Sequence, residues 1–266
     1  MPLAVCATPI GNLDDVTLRV LAELREADVV LCEDTRHTRV LLDRHGIKAR
    51  LLSYHAHNEA TRVAGLLPRL QAGERVALVS DAGLPGISDP GARLVGAALD
   101  AGVPVTVLPG PSSVETGIVA SGLAADRYQF LGFLPRGAKA LGALWEELSA
   151  WPHPAVAFES PRRLPATLRS LAAADPERFV AVCRELTKRF EEVVRGPAAE
   201  VAARFADPPK GEITLVIGAA SVRADIPAAA GAVAELVAAG VPRRQAADVV
   251  ARLTGAGRNE LYRRTL

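Results

Sequence analysis

The sequence predicts an α/β fold built around a mainly parallel sheet, and three observations carry that prediction. Short, wholly apolar runs alternate with amphipathic stretches along most of the chain. The runs are too uniformly apolar for half-exposed strands, as expected of strands covered by helices on both faces. Loops rich in Gly and Pro follow several of these runs, where an open α/β sheet places its ligands.

In chain order, LAVCAT (3–8) reads as a buried strand. DDVTLRVLAEL (14–24) follows as a helix with Val16, Val20, Leu21 and Leu24 on one face. ADVVLCED (27–34) is a second strand, and TRVLLDRHG (38–46) is a helix with Gly46 as its C-terminal cap. ARLLSY (49–54) is a short strand and ATRVAGLLPRLQAG (60–73) is helical despite Pro68. RVALVS (75–80), ARLVGAALDAG (92–102) and VPVTVLPG (103–110) complete a first strand–helix series. The stretch Pro109–Gly122, rich in Pro, Gly and Ser, reads as a hinge. A second series runs from YQFLGFLP (128–135) to GEITLVIGA (211–219). Within it RFVAVCREL (178–186) and RFEEVVRG (189–196) are so close in sequence that antiparallel pairing is expected. The expected division is residues 1–112 and 113–222 as two α/β domains, with 223–266 as a small helical basic tail. The tail reads as two short helices broken at 254–257. From Arg243 onward it carries six basic and two acidic residues.

Composition narrows the function. Of 266 residues 49% are hydrophobic and 23% charged, which excludes intrinsic disorder. Lys and Arg number 31 against 30 Asp and Glu, so the chain is not a basic nucleic-acid coat, although a local basic patch is allowed. Aromatic residues are only 4%, which argues against a base-stacking platform. Cys6, Cys32 and Cys183 lie in apolar runs without metal-ligand spacing and read as reduced core thiols. No stretch reads as a signal peptide or a membrane span, so a cytoplasmic protein without a metal is expected.

Three loops at strand ends stand out: TPIGNLDD (8–15), SDAGLPGISDPG (80–91) and PGPSSVETG (109–117). The middle one carries Asp81 and Asp89 and no cation, so it suits a ligand with hydroxyls and positive charge rather than a polyphosphate. S-adenosylmethionine has those features. Turn and cap chemistry is the competing reading of the same residues.

TPIGNLDD, EDTRHT (33–38), HAHNE (55–59), VSDAGLPGISDPG (79–91), LPGPSS (108–113), GFLPR (132–136), RELTKRFEE (184–192) and KGEITLVI (210–217) occur in that order. Together they resemble the rRNA small subunit methyltransferase I family of the tetrapyrrole methylase superfamily, over nearly the whole chain. Leu84, Gly137, Arg162 and Arg258 depart from the usual motifs.

The resemblance implies a class III, tetrapyrrole methylase-like methyltransferase: two α/β domains with the cofactor cleft between them. It implies S-adenosyl-L-methionine as cofactor and 2′-O-methylation of a cytidine ribose in 16S rRNA near the P site. The substrate would be the assembled small ribosomal subunit and the enzyme a homodimer. Two other readings compete. One is a methyltransferase acting on a tetrapyrrole, against which the basic tail argues. The other is a non-catalytic ribosome-binding factor on the same fold.

By the same resemblance Pro9 and Gly11 line one wall of the cofactor site, and Ser80, Asp81, Ala82, Gly83 and Ile87 its floor. Ser112 and Ser113 lie near the methionine end. Phe133, Glu159, Leu186, Glu212 and Ile213 close over the adenosine. Candidate proton acceptors are Asp34, His37, His55, His57, Glu59 and Asp89, of which Asp34, His55 and Glu59 are expected to border the acceptor. Arg36, Arg39, Arg136, Lys139, Lys188 and Arg189, with Arg243, Arg244 and Arg258 of the tail, are expected to meet RNA phosphates.

Overall fold

The structure, a computed structural model, describes residues 2–220, 226–254 and 256–266. Two five-stranded sheets follow one another along the chain. The first comprises β1 (Leu3–Cys6), β2 (Val29–Cys32), β3 (Leu51–Ser53), β4 (Val76–Val79) and β5 (Val105–Leu108), in the order β3-β2-β4-β1-β5. Every pairing in it is parallel. The strands β1, β2 and β4 are buried at every position, as their unbroken apolar runs require.

Helices α1 (Leu18–Glu26) and α2 (Thr35–Arg44) cover one face of this sheet, packing Val20, Leu24, Leu41 and Leu42 on Ala4, Cys6, Val30 and Cys32. Helices α3 (Glu59–Gln71) and α4 (Ala92–Asp100) cover the other, packing Leu66, Leu70 and Leu94 on Leu3, Val5, Leu31 and Leu78. Alternate residues of β1 thus serve opposite cores. Because β1 and β4 are neighbours, the loops leaving their carboxyl ends lie side by side.

The second sheet comprises β6 (Gln129–Phe133), β7 (Ala155–Glu159), β8 (Phe179–Arg184), β9 (Glu192–Pro197) and β10 (Ile213–Ile217), in the order β6-β7-β10-β8-β9. Only β6 and β7 pair in parallel, and the short β8–β9 connection gives the antiparallel pairing its length suggests. On one face lie α6 (Ala138–Ser149), α7 (Leu164–Ala174) and α8 (Ala198–Arg204).

The opposite face is covered by α5 (Ser113–Ala120), through Val114 and Ile118 against Val156, Ala181 and Val216. The sequence reading placed a hinge here and no helix. Gly117 and the β-branched residues 114, 116, 118 and 119 give the segment little helix propensity, and packing on the sheet overrides it. Ile10, from the loop after β1, belongs to this same apolar cluster, so residues from both sheets share one core.

The tail contains three helices, correcting the expectation of two: α9 (Ile226–Ala238), α10 (Arg243–Thr254) and α11 (Arg258–Arg264). Gly240, at φ +91°, ends the first, and Pro242 precedes the second. The three helices pack Ala229, Val233, Ala246, Val250 and Leu261 into a core of their own. Among the described residues, no helix is long and apolar enough to cross a membrane.

A Cβ on Gly117 would stand 2.7 Å from Thr214 Cγ2. Gly117→Val is expected to cost about 1–3 kcal/mol in urea unfolding. Gly142→Ala, in α6 where a Cβ meets nothing within 4 Å, is expected to gain up to about 1 kcal/mol.

Candidate active site

The loops after β1 and β4 are zipped together. Thr8 and Gly83 exchange backbone bonds of 2.8 and 3.0 Å, and the Thr8 hydroxyl donates to Ser80 O at 3.0 Å. The β4 loop then turns through Gly83 and Gly86, both at positive φ, and through Ser88 at φ +61°. Glycine at those two positions adopts positive φ without the cost a side chain would carry, which lets the loop fold back beside the cleft.

The opposite wall comes from the second sheet. After β8 the chain makes a turn in which Glu185 and Thr187 both adopt the left-handed region, at φ +53° and +65°. Close packing holds it there. A Cβ on Gly11 would lie 2.5 Å from Lys188 Cγ, and one on Gly211 would lie 2.3 Å from Glu185 Cγ. Asn12 N donates to Thr187 Oγ1 at 3.0 Å, which ties the first-sheet loop to the second-sheet turn. Lys188 Nζ lies 2.9 Å from both Glu185 Oε1 and Glu212 Oε2.

Between these walls lies a cleft of about 740 Å³, a size that suits a small-molecule ligand. Ile10, Ile87, Phe133, Phe158 and Leu186 give it apolar walls. Phe133 is 63% exposed and Ile87 49% exposed, so both present apolar surface to the open cleft. Phe158 makes edge contacts with Phe130 and Phe133 at ring separations of 5.1 and 5.5 Å.

The cleft's charge is one-sided. Glu33, Asp81, Asp89, Glu115, Glu159 and Glu212 line it, and among the described residues the lining contains no Lys, Arg or His. Burial, with Glu33 and Asp81 nearby, pushes the Asp89 carboxyl up to about 6, while a hydrogen bond from Ser80 opposes the shift. Glu159 is not available to a ligand in the same way. It is buried and accepts from Ser160 N, the Thr167 hydroxyl and Arg163 at 2.7, 2.6 and 3.2 Å. Cys183 also lines the cleft, but burial raises its thiol to about 12, so it is no nucleophile at neutral pH.

A side pocket of about 110 Å³ adjoins the cleft and shares Ile10, Asp81, Ala82 and Glu212 with it. His37 Nδ1 lies 3.7 Å from Asp81 Oδ1 at this pocket.

Most residues that the sequence assigned to a cofactor meet in the cleft: Asp81, Ala82, Gly83, Ile87, Ser112, Ser113, Phe133, Glu159, Leu186, Glu212 and Ile213. Pro9, Gly11 and Ser80 line the side pocket instead. Asp34, His55 and Glu59, expected to border the acceptor, line neither. Asp34 caps α2 and holds Arg36 through hydrogen bonds of 2.8–3.1 Å, which keep its carboxyl well below the usual carboxylate range. His55 closes the turn before α3 against Asn58. Glu59 accepts from the Tyr54 hydroxyl at 2.8 Å and from Gly91 N at 3.1 Å, which anchors the end of the β4 loop.

Arg39, Arg136, Lys139 and Arg189 are exposed, as are Arg244 and Arg258. Arg36 is 89% exposed and paired with Asp34. Lys188 is mostly covered, and Arg243 has a buried Nε without a partner among the described residues. The sequence reading missed Glu33, Glu115, Tyr128 and Phe158 as lining residues. Glu33 stands within EDTRHT, where its position at the end of β2 was the available signal.

A family model described as Tetrapyrrole (Corrin/Porphyrin) Methylases matches residues 2–202. The chain belongs to that family. A second model, the RsmI C-terminal HTH domain, matches residues 224–266, the three-helix tail. The chain is 47% identical over 267 aligned residues to a ribosomal RNA small subunit methyltransferase I of Mesorhizobium japonicum, covering 99% of this chain and 91% of that one. It is 44% identical to the Thermotoga maritima protein of the same name, over 81% of this chain and 97% of that one. It therefore falls in the small subunit methyltransferase I branch of the family. The solved uroporphyrin-III C-methyltransferase of Thermus thermophilus, complexed with S-adenosylhomocysteine, shares the fold with a TM-score of 0.58 at 20% identity. It is covered over 96% of its length, by 81% of this chain.

The position of Asp89 has a measurable consequence. Its folded-state value lies above that of the unfolded chain, so it favours folding when protonated, and this contribution is lost as pH rises from about 4 through about 6. Asp89→Asn is expected to raise the urea midpoint at pH 8 and to leave it unchanged near pH 4. Carboxyl NMR of the wild type is expected to show a carboxylate titrating near 6 that Asp89→Asn removes.

Proposed function

We propose that this chain is an S-adenosylmethionine-dependent methyltransferase that methylates the ribose 2′-hydroxyl of a cytidine in 16S rRNA of the small ribosomal subunit, near the P site. The observation that carries this reading is the one-sided cleft: apolar walls, several carboxylates and no cation among the described lining residues, in a chain of this family. The residues present fit the donor. A sulfonium and an ammonium suit Asp81, Asp89 and Glu33. An adenine suits the apolar surface of Ile87, Phe133 and Leu186, and ribose hydroxyls suit the backbone of the Gly83–Ile87 turn. A polyphosphate would meet repulsion.

When bound, the donor supplies a methyl group on a sulfur that is already a good leaving group. What remains for the protein is alignment and desolvation. The left-handed turn at 185–187 fixes Leu186 as a wall, and the β4 loop, tied down by Glu59, presents Asp89. Arg39, Arg136, Lys139 and Arg189 offer exposed cations for RNA phosphates, which position the substrate without reading sequence. The three-helix tail, with its own core and exposed Arg244 and Arg258, supplies a second phosphate contact. We take the working unit to be a homodimer, which sedimentation of the purified chain tests.

The assay is transfer of labelled methyl to small subunits isolated from a strain lacking the modification. Label at a cytidine 2′-oxygen supports the proposal. Label on a tetrapyrrole and none on RNA would overturn it. Donor affinity, measured by calorimetry, is expected to fall about tenfold as pH drops from 8 to 5 and Asp89 is neutralised. S-adenosylhomocysteine, which has lost the sulfonium charge, should weaken less, and Asp89→Asn should flatten the profile. Truncation after residue 222 is expected to weaken subunit binding in low-salt sedimentation while donor affinity is kept.

A further inference from the structure

We propose that the side pocket seats the base of the acceptor nucleotide and that the Lys188–Glu212 pair reads that base as cytosine. The inference rests on the function proposed above and adds to it a subsite and the two residues that select the base.

The pocket is placed for this task. It opens beside the cleft and shares Ile10, Asp81, Ala82 and Glu212 with it, so an occupant lies next to anything held in the cleft. Its volume of about 110 Å³ is of the order of one pyrimidine ring, too small for a tetrapyrrole. Leu13 and Leu41 give it apolar walls, whereas His37, Lys188 and Glu212 bring polar groups. A nucleotide drawn into the cleft by its ribose brings its base to the neighbouring pocket, and a base splayed out of its stack needs a pocket of this kind.

The charge arrangement selects between pyrimidines. An ammonium has three protons. Two from Lys188 Nζ go to Glu185 Oε1 and Glu212 Oε2 at 2.9 Å each, which leaves one. Glu212, with a side chain 72% exposed, has a second oxygen that accepts from no other described group. A donor therefore stands beside an acceptor. Cytosine offers the complement, an accepting N3 beside a donating N4 amine. Uracil offers the reverse, a donating N3 beside an accepting O4. With the sugar fixed at the cleft the register is set, and uracil then meets a donor with a donor and an acceptor with an acceptor.

Lys188 and the backbone of Glu212 are also held in place. Lys188 follows the two left-handed residues Glu185 and Thr187, its stem packs on Gly11, and Glu212 N donates to Glu185 Oε1 at 3.0 Å. A preset pair of this kind loses little freedom on binding.

The test uses the full chain with donor and reconstituted small subunits carrying either cytidine or uridine at the modified position. The wild type is expected to prefer cytidine. Glu212→Gln places an amide where the carboxylate stood, so its cytidine-over-uridine ratio in kcat/KM is expected to fall at least about tenfold. Leu13→Trp fills the pocket from its rim. It is expected to lose at least about tenfold in kcat/KM on cytidine subunits, with donor affinity by calorimetry kept. An unchanged ratio in Glu212→Gln, or wild-type turnover by Leu13→Trp, overturns the inference. Loss of donor affinity by Leu13→Trp in step with its turnover assigns the pocket to the donor and also overturns it. A wild type that methylates neither substrate overturns the proposed function itself, and this inference with it.

Discussion

The contact between the loop after β1 and the turn after β8 holds the site together. A Cβ on Gly11 would stand 2.5 Å from Lys188 Cγ and 2.9 Å from Leu186 O, Asn12 donates to Thr187, and Ile10 is buried in a cluster built mainly on the second sheet. Without that contact the two sheets would have separate cores and no common wall. The left-handed conformations of Glu185 and Thr187 are unfavourable for residues with side chains, and they persist because the surrounding packing and hydrogen bonds leave no alternative. The cleft is thus a product of inter-sheet packing rather than of either sheet alone.

Charge is then distributed by role. The described lining of the cleft carries carboxylates without cations. Asp89 is raised mainly by burial and then by like charges, while for Glu115 burial is outweighed by hydrogen bonds from Ser112 and Tyr128, which lower it. The side pocket carries a mixed pair instead, Lys188 between Glu185 and Glu212. Exposed arginines and Lys139 lie outside both.

Much of this was legible in the sequence. Unbroken apolar runs such as VALV announce central parallel strands, and loops carrying Gly and Asp announce a cleft at their ends. Most residues assigned to a cofactor line the cleft together because their loops are contiguous motifs at neighbouring strand ends. The helix over Ser113–Ala120 was not, because its stability comes from packing on β7 and β10 rather than from propensity. Asp34, His55 and Glu59 were assigned to chemistry by residue type. In the structure Asp34 and Glu59 accept hydrogen bonds at a helix cap and a loop end. His55 bonds Asn58 through its backbone N–H and Nε2, while Nδ1 is buried without a partner among the described residues; such arrangements need the partners' positions. Lys188 was read as one more RNA-binding cation: Glu185, one of its carboxylate partners, stands in RELTKRFEE, but Glu212, the other, comes from a distant segment that the motif does not show.

The central claim is that the acidic, cation-free cleft between the sheets is the seat of the methyl donor. A crystal structure of the protein soaked with S-adenosylmethionine addresses it most directly. The account predicts density for the donor between the Gly83–Ile87 turn and Leu186–Ile213, with its charged end toward Asp81 and Asp89. Well-ordered protein with that volume empty, or with the donor bound elsewhere, would contradict it.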